Sequence, residues 1–267
     1  MEISVILSVY HKETPLYLEK ALGSLFNQTL KAKEVILIED GPLGNELQKT
    51  IERFERTYSE LKVIKLEKNC GLAHALNVAI KECKTDYIAR MDTDDISDPV
   101  RFERQSIFLS DHPEVDCVGT WVVEIRSDDT EFYRKKMPLT HEECRDFYMK
   151  RNPMAHPTVM FRKRYFDKAG LYPEDTFQEE DTMLWANGFA NGCIFANIPE
   201  FLYRFRIDEN FFNRRKGLRF AKDTFMIRHK VNKMLGFSLK ADFYALLFAC
   251  SKMMPEYLLK MLYKFAR

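Results

Sequence analysis

The stretch Tyr87-Ile88-Ala89-Arg90-Met91-Asp92-Thr93-Asp94-Asp95 opens as a buried strand and ends in three carboxylates within four residues. Like charges that close repel one another, and burying them unpaired is costly. A cation removes the conflict. Hard oxygen ligands at a strand end suit Mg²⁺ or Mn²⁺, and such ions commonly bridge to substrate phosphates. The stretch therefore reads either as a metal–diphosphate site at the mouth of a nucleotide-binding sheet, or as a solvated acidic turn with Asp98 capping the next helix. The segments around it weigh the two.

Upstream, residues 3–9 read as a buried first strand, followed by Thr14 as N-cap and Pro15 at the first helical position. Leu18, Ala21, Leu22, Leu25 and Phe26 recur at helical spacing. Residues 35–38 form a second strand ending at Glu39-Asp40-Gly41, and Leu47, Ile51, Phe54 and Tyr58 mark a second helix. Residues 63–66 form a third strand; after Asn69 and Gly71, Leu72, Ala75, Leu76, Ala79 and Ile80 mark a third helix. Strands alternating with helices predict a mainly parallel, Rossmann-like α/β sheet covered on both faces. Ligands of such sheets bind beyond the carboxyl ends of the strands. Tyr10, Asp40, Asn69 and the three aspartates all fall at such ends, which favours the metal reading.

The second half is less regular. Asp98-Pro99 starts another helix with Phe102, Ile107 and Leu109, and residues 115–123 read as strand material broken at Gly119. Thr140 and Glu143 make a capping-box pattern. Residues 159–161 and 202–207 read as short strands. The organisation expected is a catalytic domain over residues 1–216 and a basic, amphipathic helical extension over residues 217–267.

Composition narrows the function classes. The 267 residues are 46% hydrophobic and 30% charged, an ordinary globular balance. No apolar run approaches a membrane span of roughly 20 residues. The start lacks a basic leader, so a cytoplasmic location is expected. Six scattered cysteines make no CxxC pair and argue for free thiols. The net charge of +1 is unevenly placed. Residues 201–267 hold 15 Lys/Arg against 5 Asp/Glu, which suggests an anionic partner for the tail. No nucleic-acid recognition motif accompanies that charge, so the expected partner is an anionic membrane at the inner face rather than nucleic acid. The apolar stripes Phe243, Leu246, Leu247, Cys250 and Leu258, Met261, Leu262, Phe265 fit either such a surface or packing on the catalytic domain.

There is no GxGxxG after the first strand and no GxxxxGK[ST], which disfavours dinucleotide and P-loop modes. Asp40 is placed either to accept from a base or to shape a turn before Gly41. Tyr10 either stacks on a base or simply packs. Gln178-Glu179-Glu180-Asp181 precedes Met183, Leu184, Trp185, Gly188 and Phe189 of an amphipathic helix; its carboxylates serve the helix dipole, or one of them is a general base. His156, between Pro153 and Pro157, is either structural or a substrate contact. Arg204, Arg206, Arg214 and Arg215 offer charge for a diphosphate.

Taken together these residues resemble family 2 glycosyltransferases of the GT-A fold, over roughly the first 215 residues. Ser8-Val9-Tyr10-His11-Lys12-Glu13, Ile38-Glu39-Asp40-Gly41, Asn69-Cys70-Gly71, Arg90-Met91-Asp92-Thr93-Asp94-Asp95, Arg101-Phe102 with Gln105, and Glu180-Asp181 with Leu184-Trp185 carry the resemblance. His11, Pro42 and Asp208 depart from the family's usual asparagine, serine and histidine. The resemblance implies a nucleotide-sugar site, for a UDP-linked donor, made by Ser8, Tyr10, Glu13, Asp40, Asn69, Arg90, Asp92 and Arg206. It implies Mg²⁺ or Mn²⁺ on Asp94 with Asp92 or Asp95, and Asp181 as the base. It further implies Glu180, His156 and Trp185 at a saccharide or lipid-linked acceptor, in bacterial surface-polysaccharide assembly. The residues alone leave two alternatives open: a nucleotidyltransferase and a non-catalytic nucleotide-sugar binding module.

Overall fold

The computed structural model describes residues 1–176, 179–207 and 216–254. Its first half is a parallel unit: β1 (Ile3–Val9), α1 (Pro15–Phe26), β2 (Glu34–Glu39), α2 (Asn45–Thr57), β3 (Leu61–Lys65), α3 (Leu72–Glu82) and β4 (Tyr87–Arg90). β1 pairs in parallel with β2 and β4, and β2 with β3. The register sets Val9 beside Glu39 and Glu39 beside Lys65, so the residues following these strands gather along one edge. The near-continuous apolar runs of β1 and β2 follow from burial on both faces. Val5, Leu7, Val9, Val35 and Leu37 pack with α1, α2 and Phe102. Ile6, Ile36 and Ile38 pack with α3 and with Trp185 on the other face.

The second half holds β5 (Ile96–Ser97), α4 (Arg101–Asp111), β6 (Cys117–Ile125), β7 (Glu131–Lys135), α5 (His141–Tyr148), a 3₁₀ turn (His156–Thr158), β8 (Met160–Arg162), α6 (Arg164–Ala169), α7 (Glu180–Ala190), β9 (Phe195–Arg206), α8 (Leu218–Met234) and α9 (Leu239–Ser251). It extends the sheet in the order β3-β2-β1-β4-β8-β6-β9-β5, with β7 on β6. β4 pairs antiparallel with β8, β8 with β6, and β6 parallel with β9.

Several sequence expectations are adjusted. The strand at Gly119 is not broken: β6 runs through it, and the register shifts lie after Thr120. A Cβ at Gly119 would stand 2.2 Å from Asn197 Oδ1, so the glycine admits the neighbouring strand's amide. The segment expected at residues 202–207 is the end of a strand that begins at Phe195. Strands β5 and β7 and helix α6 had no clear sequence signal. Thr14 precedes Pro15 as expected but makes no side-chain cap, whereas the Thr140–Glu143 capping box is present. The division at 216/217 falls between β9 and α8. Across it, Val231 of α8 and Leu235 just after it join the same core as Trp185 and Phe195.

Candidate active site

Residues 91–97 alternate. Met91, Thr93, Asp95 and Ser97 are buried, while Asp92 and Asp94 are half-buried. Side chains of an extended segment point to opposite sides in turn, and β5 holds this one down, with Ile96 paired to Arg204 and Ser97 to Tyr203. Carboxylate oxygens of Asp92, Asp94 and Asp95 lie within 4.8 Å of one another. Asp95 accepts from the Arg206 amide through Oδ1 at 2.6 Å, but its buried Oδ2 has no hydrogen-bond partner. Burial, then Asp94 and Asp92, push the Asp95 carboxyl well above the usual range. An all-oxygen set with an orphaned buried oxygen and two half-exposed carboxylates fits a hard divalent cation, which would relieve both the repulsion and the missing partner.

The loop is braced from several sides. Arg101, fully buried, donates through Nη2 to the Arg90 carbonyl at 2.8 Å. The Asp92 amide donates to Tyr203 Oη at 3.2 Å. Thr93 donates to Glu13 Oε2 at 2.6 Å, and burial raises the Glu13 carboxyl. Glu13 therefore faces the loop from inside. Arg206, expected at the diphosphate, instead serves as scaffold. Its Nε donates to the Asp94 carbonyl at 2.7 Å, its Nη1 to the Arg126 carbonyl at 3.0 Å, and it pairs with Asp129 at 2.6 Å. Arg214 and Arg215 lie outside the described residues, as do Asp208 and the stripe from Leu258 to Phe265.

At the end of β2, buried Asp40 spends its carboxylate on the neighbouring turn. It accepts from the amides of Cys70 at 2.7 Å and Gly71 at 3.0 Å, and from Asn69 Nδ2 at 2.9 Å. Gly41 (φ +86°) allows this approach, since a Cβ there would stand 2.5 Å from the Asn69 amide nitrogen. The contacts follow the turn-shaping reading of Asp40: its carboxylate holds the 69–71 turn beside the end of β2. Ser8 and Tyr10 are half-buried at the same edge, and Asn69 is exposed.

Arg90 pairs with the first acidic centre, and its charge is felt at the second. It is 2% exposed and holds Asp92 Oδ1 at 2.5 Å, its Nε and Nη1 have no hydrogen-bond partner, and its charge reaches Glu180. Glu180 and Asp181 open α7, half-buried. Burial, with Asp181 beside it, raises Glu180 to about 7. Burial and Glu179 raise Asp181, while Asn152 and Arg228 oppose the shift. Asn152 Nδ2 donates to Asp181 Oδ2 at 2.9 Å. Asn152, Tyr203 and Arg228 carried no sequence signal for the site; each is an ordinary residue type whose part emerges only from its long-range contacts.

Two expected acceptor residues lie in the core. Trp185 has no exposed surface and packs against His156, Phe161 and Phe195. Such a side chain offers an acceptor nothing to touch. His156 Nε2 meets Tyr172 Oη at 2.7 Å, and burial with nearby Arg90 keeps the ring neutral. Of the three, Glu180 is half-buried, whereas Trp185 and His156 are buried.

Comparison with known proteins agrees with this geometry. Residues 4–170 match the model of "Glycosyl transferase family 2". The chain is 36% identical over 263 residues to the amylovoran biosynthesis glycosyltransferase AmsE of Erwinia amylovora, covering 98% of this chain and 97% of that one. It is 34% identical to the UDP-Gal:alpha-D-GlcNAc-diphosphoundecaprenol beta-1,3-galactosyltransferase of Escherichia coli, covering 82% and 79%. Among solved structures, S. aureus TarS 1-349 in complex with UDP-GlcNAc superposes with a TM-score of 0.70 at 19% identity, covering 94% and 72%. The mannosyltransferase PcManGT from Pyrobaculum calidifontis, in complex with GDP-Man and Mn²⁺, gives 0.66 at 17%, covering 94% and 73%. The nucleotidyltransferase and binding-module alternatives are thereby set aside: the chain has the GT-A fold and belongs to glycosyltransferase family 2.

Proposed function

We propose that this glycosyltransferase is inverting and depends on a divalent metal, and that it moves a sugar from a UDP-linked donor to a hydroxyl of a lipid-linked saccharide in surface-polysaccharide assembly. The observation that carries the reading is a pair of acidic centres: a three-carboxylate cluster with an orphaned oxygen at the end of β4, where Arg90 pairs with Asp92, and a raised, amide-held carboxylate at the start of α7. Asp94, with Asp92 and Asp95, would hold Mg²⁺ or Mn²⁺. When bound, the ion would supply neutralisation of charge on the departing diphosphate.

The chain's own residues account for the rest. The turn held by Asp40, with Tyr10 and Ser8, carries the base and ribose. Arg90 fixes Asp92 and adds positive charge between the two centres. Asp181 takes the acceptor hydroxyl proton as that oxygen bonds to the anomeric carbon and the bond to the diphosphate breaks. One displacement inverts the configuration. A UDP-linked donor is favoured because the galactosyltransferase relative is named for UDP-Gal; the diphosphoundecaprenol in that relative's name supports a lipid-linked acceptor here.

A membrane contact follows from the C-terminal helices. Among the described residues no helix is long and apolar enough to cross a membrane. α9 turns Ala241, Ala245 and Ala249 inward and leaves Leu239, Phe243, Leu246 and Leu247 exposed. Residues 216–254 carry eight Lys/Arg against two Asp. An apolar face within a basic surface suits anionic lipid, where a lipid-linked acceptor resides.

The test is nucleoside-diphosphate release from UDP-galactose, UDP-N-acetylglucosamine, UDP-glucose and GDP-mannose, with a GlcNAc-diphospholipid acceptor, in Mn²⁺, Mg²⁺ or chelator. Expected is release from a UDP-sugar that chelation abolishes, and a product whose anomeric signals show inversion. Turnover that ignores chelation, or a retained configuration, overturns the reading.

A further inference from the structure

The C-terminal helix α8 reaches the start of α7 through two buried contacts. Arg228, 6% exposed, donates through Nη2 to Asn152 Oδ1 at 2.8 Å, and Asn152 Nδ2 donates in turn to Asp181 Oδ2 at 2.9 Å and to Thr182 Oγ1 at 3.0 Å. Thr224, 1% exposed, donates to Glu179 Oε1 at 2.8 Å, and Glu179 Oε2 accepts from Thr182 at 2.6 Å. We propose that α8 is a working part of the active site: Arg228 is a positioning residue that, through Asn152, fixes the orientation and ionisation of the Asp181 carboxylate. The proposal rests on Asp181 being the base.

A guanidinium has donors and no acceptor, so it captures the carbonyl end of the Asn152 amide. The amide's NH₂ is thereby committed to Asp181, and a carboxylate served by donors stays ionised and aimed. Without the cation the amide is free to reverse and present its oxygen, which favours a protonated Asp181. Charge acts in the same direction. The groups facing Asp181 are Glu179 and Glu180 on α7, Tyr148 on α5, Tyr172 after α6 and Arg228 on α8, while Arg90 acts on Glu180. Of these, Arg228 is the cation that pulls the Asp181 carboxyl down. Phe248 of α9 stacks on Arg228 at 5.3 Å and helps hold it in place. The matched family segment ends at residue 170, so α8 and α9 lie beyond it.

The test follows Asp181 directly. The full chain is labelled with ¹³C at aspartate carboxyls, and Asp181 is assigned by its loss in Asp181→Asn. Its titration is compared in wild type, Arg228→Gln and Arg228→Lys, with melting and UDP affinity as checks of the fold. Expected is a rise of the Asp181 midpoint by roughly one pH unit in Arg228→Gln, reversed in Arg228→Lys. Release from the UDP-sugar that the wild type consumes should fall about tenfold below the limb and recover at high pH, with UDP affinity unchanged. Should Arg228→Gln not fold, Asn152→Ser breaks the same relay and the same rise is required. An unmoved midpoint overturns the relay and leaves the base assignment standing. A wild-type rate in Asp181→Asn overturns the base assignment instead.

Discussion

The proposed donor side and the proposed base side of this site are built in different ways. On the donor side, topology does the placing. β1, β2 and β3 end in register, so whatever follows Val9, Glu39 and Lys65 meets at one edge, and Asp40 then needs only the nearby 69–71 turn. On the base side, Asp181 depends on Asn152 from 29 positions away, and Asn152 depends on Arg228 from 76 positions further along. Damage to the first side should therefore show as lost nucleotide or metal affinity. Damage to the second should show as lost turnover and altered pH dependence.

The largest effect should come from the cluster between them. Asp94→Asn is expected to abolish transfer and to weaken UDP binding in Mn²⁺, because it takes one full charge from a crowded metal site. Normal turnover with metal present would remove the metal assignment. Asp181→Asn should lower turnover on the order of 10²–10⁴-fold with UDP affinity nearly intact. Calorimetry that finds a matching loss of UDP affinity would erase the distinction between the two sides.

The same contrast explains what was legible in the sequence. In the parallel half, near-continuous apolar strands, helical spacing and strand-end carboxylates point to one arrangement, and β1 to β4 follow it to within a residue or two. In the other half the antiparallel strands β5, β7 and β8 are two to five residues long and carry weak patterns. Their places come from pairing partners far along the chain, information that no local window holds. Arg206 and Trp185 show the limit for single residues. An arginine near a diphosphate site and an arginine clamping the loop beneath it look alike until the partners are known. A tryptophan after an acidic pair gives no sign of facing the core.

A pH profile sharpens the comparison at intermediate size. Glu180 is pushed to about 7 and Asp181 is raised, both first by burial. An adjacent pair of this kind titrates as a unit. A base must be ionised, so turnover should be present at high pH and lost as pH falls through the raised values, about tenfold per pH unit below the limb. An ordinary carboxylate would hold its activity down to roughly 4. An acid limb of kcat/KM in that ordinary range would mean that α7 does not supply the base.

On the donor side, Asp40→Ala should be milder. It releases three donors from the 69–71 turn, and UDP and uridine should both weaken by about tenfold. Equal loss for the two ligands locates the effect at the base and ribose. A loss confined to UDP would move it to the diphosphate, and no loss at all would leave Asp40 as a fold residue only.

The smallest effect concerns the outer face of the two C-terminal helices, whose inner side carries Arg228 and its contact to Asn152. α8 turns Thr224, Arg228 and Val231 inward, while α9 presents Leu239, Phe243, Leu246 and Leu247 outward. Burying such side chains in a lipid interface is favourable by up to about 1.5–3 kcal/mol each, and nearby lysines add about 1 kcal/mol apiece on an anionic surface. The full chain should therefore co-sediment with phosphatidylglycerol-containing vesicles, less with neutral ones, and should release at high salt. Phe243→Ser with Leu247→Ser should cut that binding severalfold while leaving turnover on a water-soluble acceptor unchanged, since neither side chain touches the relay to Asp181. Equal binding to neutral and anionic vesicles would remove the electrostatic part of the argument. Loss of soluble-acceptor turnover in the double variant would mean that the outer face also supports the base, and that the two faces of this helical pair are not separable.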